Sequence, residues 1–165
     1  MAFDFDVPLA ANQIAVDIVT MNANWEYVIS GDGTAGRVLR RSRLVIDDGT
    51  NATTLKCTLT SLWNGDAISV TDNIALNATT GNFTLDAAGN ILDIEAAGLS
   101  GNCITTLGGN IYSNTSNVPL HLYTRGSSNK LRVIVTHAQT GGSQVLTTLV
   151  DTGSFDIDLT YLTDA

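Results

Sequence analysis

Phe155-Asp156-Ile157-Asp158-Leu159-Thr160-Tyr161 alternates apolar and polar residues without a break. Successive side chains of a strand point to opposite faces, so the segment reads as a strand with one apolar and one acidic face. The same period of two recurs upstream. Leu55, Cys57 and Leu59 alternate with Lys56, Thr58 and Thr60, and Leu131, Val133 and Val135 alternate with Arg132, Ile134 and Thr136. Ile14, Val16 and Ile18 follow the rule, as do Val145, Thr147 and Leu149. Between these windows stand Asp32-Gly33, Asp48-Gly49, Asn64-Gly65, Thr80-Gly81-Asn82, Gly89-Asn90, Gly108-Gly109, Ser127-Ser128-Asn129 and Gly141-Gly142. Asn, Asp and Gly favour turns, and short strands punctuated in this way predict a sandwich or barrel.

The last third reads as consecutive antiparallel strands over 119–124, 130–137, 144–150 and 154–162. One helix competes, over Asn90–Ala97, with Asn90 as N-cap and Gly98 as stop. A hairpin is preferred there, because Gly89-Asn90 lies between the apolar runs Phe83-Thr84-Leu85 and Ile91–Ile94. The expected fold class is therefore all-β: an antiparallel two-sheet sandwich of the jelly-roll type, with at most one short helix. An open-ended barrel is the alternative. Trp25, Tyr27, Trp63, Phe83, Phe155 and Tyr161 are the expected aromatic anchors of core or interface.

The chain has 165 residues, 44% hydrophobic and only 15% charged. That length suits one domain, and the low charge argues against helical bundles and charge-rich disorder. Residues 1–12 read as an N-terminal arm and 13–165 as a single sandwich domain. Sixteen acidic residues against 8 basic give a net charge of -8. A protein that holds duplex nucleic acid by neutralising phosphates needs the opposite balance. No apolar run approaches the ~20 residues of a membrane span. The acidic start Met1-Ala2-Phe3-Asp4-Phe5-Asp6 lacks the basic region of a secretory signal, so synthesis and folding in a cytoplasm are expected. Cys57 and Cys103 form no metal or redox motif and read as two small buried hydrophobes.

Several motifs tempt a chemical reading. Gly31-Asp32-Gly33-Thr34-Ala35-Gly36 matches GxGxxG, but dinucleotide binding also needs a helix and a parallel strand behind it. Too few residues separate Gly36 from the apolar segment Leu44–Asp47 for that crossover. Asp4 and Asp6, Asp93 and Glu95, and Asp156 and Asp158 are acidic pairs at strand spacing, able to face a hard cation. The plainer reading is a solvated strand face that resists edge-to-edge aggregation. Gly98-Leu99-Ser100-Gly101 lacks the spacing of a nucleophile elbow, and His121 and His137 read as surface histidines. Sequons at Asn51, Asn77, Asn82 and Asn114 are expected accidents of an Asn- and Thr-rich chain. Catalytic, metal-binding and cofactor-binding residues are thus expected to be absent. Arg37, Arg40, Arg41 and Arg43 hold half of the basic residues in one segment. With Phe3 and Phe5 of the arm, they are the candidate partner-binding residues, facing an acidic protein surface or another copy.

Gly81-Asn82-Phe83-Thr84-Leu85-Asp86-Ala87-Ala88-Gly89-Asn90-Ile91-Leu92 resembles a phrase recurrent in bacteriophage fibre and other virion surface proteins. Phe155–Asp164 is similar to the closing strand of phage jelly-roll and fibre-head domains. The resemblance implies a non-enzymatic virion structural protein, synthesised in the host cytoplasm. It implies self-association, expected as a homotrimer, and docking on a capsid as decoration or cement protein, or on a tail as a short fibre or spike head. No coiled-coil stalk precedes the domain, so capsid and tail stand level. The rival expectation is a carbohydrate- or receptor-binding module, with Trp25, Trp63, Tyr112 and Tyr123 stacking on host surface glycans. An enzyme such as a depolymerase is the third, and a cleft with two facing carboxylates would revive it.

Overall fold

The structure is a computed structural model and describes residues 37–62, 68–113, 120–127, 129–137, 140–151 and 153–164. The expected arm, Ile14–Ile18, Trp25, Tyr27 and Trp63 lie outside the described residues. Among the described residues, ten strands form two antiparallel sheets of five. They are β1 (Arg37–Asp48), β2 (Thr54–Ser61), β3 (Ser69–Ala75), β4 (Ala78–Thr79), β5 (Phe83–Leu85), β6 (Leu92–Ile94), β7 (Cys103–Ser113), β8 (Leu120–Ser127), β9 (Lys130–His137) and β10 (Phe155–Asp164). The first sheet runs β3-β2-β1-β10-β7 and the second β4-β5-β6-β9-β8. The all-β, two-sheet sandwich expected from the alternation is what the chain forms.

The connectivity follows from hairpins. β1 to β3 form one meander and β4 to β6 another. β7 then joins the first sheet, β8 and β9 the second, and β10 returns to lie between β1 and β7. Strands β7 to β10 thus trace a Greek key across the two layers, the crossing from which jelly rolls are built.

Alternation decides the core. Phe155, Ile157, Leu159 and Tyr161 of β10 are buried, as are Leu55, Cys57 and Leu59 of β2 and Leu131, Val133 and Val135 of β9. They meet in one continuous hydrophobic cluster with Phe83, Leu85, Leu92 and Ile94. The preferred hairpin at Gly89-Asn90 is present: Gly89 takes φ 70°, and β5 pairs with β6 from Phe83↔Ile94 to Leu85↔Leu92.

The two margins of the sandwich close differently. Where β3 meets the β4–β5 turn, Asp72 Oδ2 accepts bonds from Thr80 Oγ1 at 2.9 Å and Asn82 Nδ2 at 2.8 Å. Where β7 meets β8, Leu122 sits over Gly109, so close that a Cβ there would lie 2.7 Å from Leu122 Cδ2. Thr106 Oγ1 donates to Thr124 O across the same seam.

Three expectations need correction. Among the described residues there are two short helices where at most one was expected: α1 (Ala96–Leu99) and α2 (Leu146–Val150). α1 begins after the hairpin, and Gly98 lies inside it, packed near Asn82 O and Ile94. α2 replaces the strand expected over 144–150. Its buried Leu146, Leu149 and Val150 follow the i, i+3, i+4 spacing of a helix, whereas Val145 is exposed. Gly108-Gly109, read as a turn, lies within β7. At Gly109 the approach of Leu122 leaves no room for a Cβ, whereas Gly108 has open space around it.

Leu159 is fully buried at the centre of β10. Leu159→Ala is expected to cost about 2–5 kcal/mol in chemical denaturation, transfer and cavity terms together. A loss below about 0.5 kcal/mol, typical of surface positions, contradicts this packing.

Candidate functional site

The arginine segment lies on β1, and the strand's alternation divides it. Arg40 turns inward with Ser42, Leu44 and Ile46, and only 8% of it is exposed. Its Nε donates to Thr163 Oγ1 at 2.9 Å and its Nη2 to Ser100 O at 3.0 Å. Beside it, Ser42 Oγ and Tyr161 OH share a buried bond of 2.9 Å. Arg40 is therefore part of a polar layer inside the sandwich and is corrected from a surface contact to a structural residue. Arg37, Arg41 and Arg43 point the other way and remain exposed. Arg43 holds Asp158 through Nε at 2.9 Å and Nη2 at 3.4 Å, and Arg41 stands 3.8 Å from the same carboxylate. One carboxylate of the neighbouring strand thus engages two of the three exposed guanidiniums. Phe3 and Phe5 lie outside the described residues.

The acidic pairs are also engaged. Asp93 is buried on β6 and binds Arg132 of β9 through both oxygens, each at 2.7 Å. That hydrogen-bonded pairing pushes the Arg132 guanidinium pKa up. Glu95, two residues on, accepts from Lys130 Nζ at 2.8 Å and also bonds Thr84 Oγ1. Asp158 is held by Arg43. Asp93, Glu95 and Asp158 each answer a basic side chain, and no metal-ligating cluster is present among the described residues. Asp164 accepts from the side chain and backbone of Asn102, which lowers its pKa.

The other motifs resolve similarly. A twelve-residue strand begins at Arg37, directly after the GxGxxG string, where a dinucleotide site requires a helix. Ser100 caps α1 in a left-handed conformation, φ 56°, and its carbonyl is bonded by Arg40. Cys57 and Cys103 are free and buried. Burial pushes the Cys57 thiol up to about 12, with nearby Asp72 adding to the shift. No helix among the described residues is long and apolar enough to cross a membrane.

The three most exposed large hydrophobic residues among those described, Leu107, Tyr123 and Ile104, lie along the β7–β8 margin. β7 pairs with β10 on one side, and its other edge forms no ladder among the described residues. Its register against β10 slips twice. Thr160 pairs with Gly108 and Tyr161 with Thr106, leaving Leu107 as an extra residue; Leu162 pairs with Thr105 and Thr163 with Cys103, leaving Ile104. These are β-bulges, which bend an edge strand and re-aim its side chains. Both extra residues are large, apolar and exposed, Leu107 at 57% and Ile104 at 43%. Tyr123 of the neighbouring edge strand β8 is exposed at 53%. Sequence reasoning missed this site. Its signal is the broken alternation of Ile104-Thr105-Thr106-Leu107, where two aliphatics stand three apart inside a strand.

No family profile, curated protein or solved structure matches this chain. The surface is therefore interpreted from its own chemistry.

Two measurements check the site's chemistry. A double-mutant cycle over Asp93→Asn and Arg132→Met is expected to return a coupling of about 1.5–3 kcal/mol, the range of charge-assisted bonds; a value under about 0.5 contradicts a structural pair. Cys57 is expected to resist thiol reagents at neutral pH until the protein is unfolded, because only the thiolate reacts. Fast labelling in the native state contradicts its burial.

Proposed function

We propose that the chain is a non-enzymatic structural protein of a bacteriophage virion. In this reading it self-associates as a homotrimer. It docks on the capsid surface as a decoration or cement protein, or on the tail as a short fibre or spike head. The observation that carries the reading is the bulged edge of β7, which has no ladder among the described residues and turns Ile104 and Leu107 to solvent. Sandwiches normally blunt such edges with charge or cover them. Exposed aliphatics at both bulges are instead suited to contact with a second copy, and a heterologous contact of this kind closes into a ring when its rotation allows.

Support also comes from how the chain's charges are used. Arg43, Arg132 and Lys130 each hold a carboxylate of the same sandwich, and the buried apolar side chains of both sheets form one continuous cluster. Such a domain acts through its margins. A second reading, a carbohydrate- or receptor-binding module, is favoured by one observation: Tyr123 is an exposed aromatic on an outer strand. Tyr112, Trp25 and Trp63, the other aromatics expected for it, have side chains outside the described set.

Analytical ultracentrifugation of the purified chain tests the leading reading. A trimer is expected, and Ile104→Asp with Leu107→Asp is expected to weaken it by about thirtyfold or more, as loss of an interface hot spot does. The variant's thermal midpoint at monomer concentrations stays close to the parent's, since both side chains are exposed. A strict monomer without affinity for phage capsids or tails overturns the proposal.

A further inference from the structure

β8 is the outer strand of the second sheet, and its odd-numbered residues face away from the core. His121, Tyr123 and Arg125 are all exposed. Opposite them on β9 stand Thr136, Ile134 and Arg132. Residues directly opposed in an antiparallel pair share a face at about 5 Å. Tyr123 and Ile134 therefore form a small flat apolar platform, with Arg125 towards one end and His121 towards the other. The row from His121 to Arg125 is about 13 Å long at ~3.3 Å per residue.

The charges on this face do not balance. Arg125 and Arg132 are directly opposed, and like charges so placed repel. Asp93 answers Arg132 with both of its oxygens. Arg125 makes no ion pair among the described residues. It is an exposed guanidinium beside an aromatic ring on a protein whose net charge is -8, and an anionic group bound there relieves the repulsion.

The row runs into a cleft. An open recess of about 530 Å³ is lined by Gly109, Asn110, Ile111, Leu120, His121 and Leu122. That volume lies within the ~300–1,000 Å³ of small-ligand sites. His121 belongs to both the row and the recess. Ile111, Leu120 and Leu122 give the recess aliphatic lining, and Asn110 and His121 add hydrogen-bonding groups.

From this arrangement we infer that the outer face of β8 is a binding site for an acidic saccharide. The apolar face of a sugar ring stacks on Tyr123, its carboxylate pairs with Arg125, and the neighbouring ring's hydroxyls bond Asn110 and His121 in the recess. An aromatic platform is tolerant of sequence and linkage, and the guanidinium, with its fork of donors, selects a planar carboxylate. The inference rests on the carbohydrate-binding reading and not on the virion reading; it adds the place and the charge of the ligand.

The test is titration of the full chain, followed by NMR shifts of β8 and β9 amides, with two acid–neutral pairs of probes. One pair is trigalacturonate and its methyl ester, and the other is 3′-sialyllactose and lactose. At least one acid is expected to bind at millimolar concentration and at least about tenfold tighter than its neutral partner, as a charge-assisted bond provides. Arg125→Gln removes that preference, and Tyr123→Ala weakens acid and neutral forms alike. Thr58→Ala, on the outer face of the other sheet, leaves binding unchanged. Equal binding of acid and neutral forms, or full acid preference in Arg125→Gln, overturns the inference while leaving a carbohydrate module standing. Absence of binding by all four sugars overturns both. Tighter binding of a single-stranded oligonucleotide at the same amides also overturns the inference, because it would make Tyr123 a base-stacking residue.

Discussion

Strand β10 is the constraint on which the sandwich depends. It hydrogen-bonds to β1 on one side and to β7 on the other, and its inward row from Phe155 to Tyr161 is buried throughout. A slip of one residue would turn that row outward and bring Asp156 and Asp158 into the core. Side chains pin the register at one end: Tyr161 bonds Ser42, Thr163 accepts from Arg40, and Asp164 ties back to Asn102. Once β10 is set, β1 must place Arg40 inside and Arg41 and Arg43 outside. The fate of the chain's most basic segment is thus decided by hydrogen-bond register rather than by its charge.

The consequence for function is a division of labour between faces and margins. Asp158, Asp93 and Glu95 each sit within reach of a cation on the next strand. Cross-strand pairs of this kind stabilise a sheet by modest amounts, and they leave those carboxylates committed. The β3 margin is tied by Asp72 to the β4–β5 turn. The β7–β8 margin is different. It is held by Leu122 over Gly109, yet it exposes two bulged aliphatics, a tyrosine and an arginine. The ion pairs and the exposed apolar groups thereby lie on separate parts of the same two sheets.

The sequence conveyed the layers well and the margins poorly. Alternation through Phe155–Tyr161, Leu55–Leu59 and Leu131–Val135 signalled which residues meet in the core, because burial on one face is what imposes a period of two. It misled at Val145, Thr147 and Leu149, where five residues are too few to separate a strand from one helical turn; burial of Leu146 and Val150 decided for the helix. Gly108-Gly109 looked like a turn because glycine signals both a bend and a close approach, and only the position of Leu122 tells which. The arginine cluster looked like one patch because counting residues ignores the faces of a strand. Bulges at Ile104 and Leu107 were hidden for a related reason, since an extra residue is defined by its partner strand.

The account's central claim is that β7's bulged edge is where another copy of the chain binds. Hydrogen exchange followed by mass spectrometry, across a range of protein concentrations, tests it most directly. Amides of Ile104–Asn110 are expected to gain protection as concentration rises, while those of β3, the opposite edge, hold constant. Protection of β7 that is independent of concentration, or a gain confined to β3, contradicts the account.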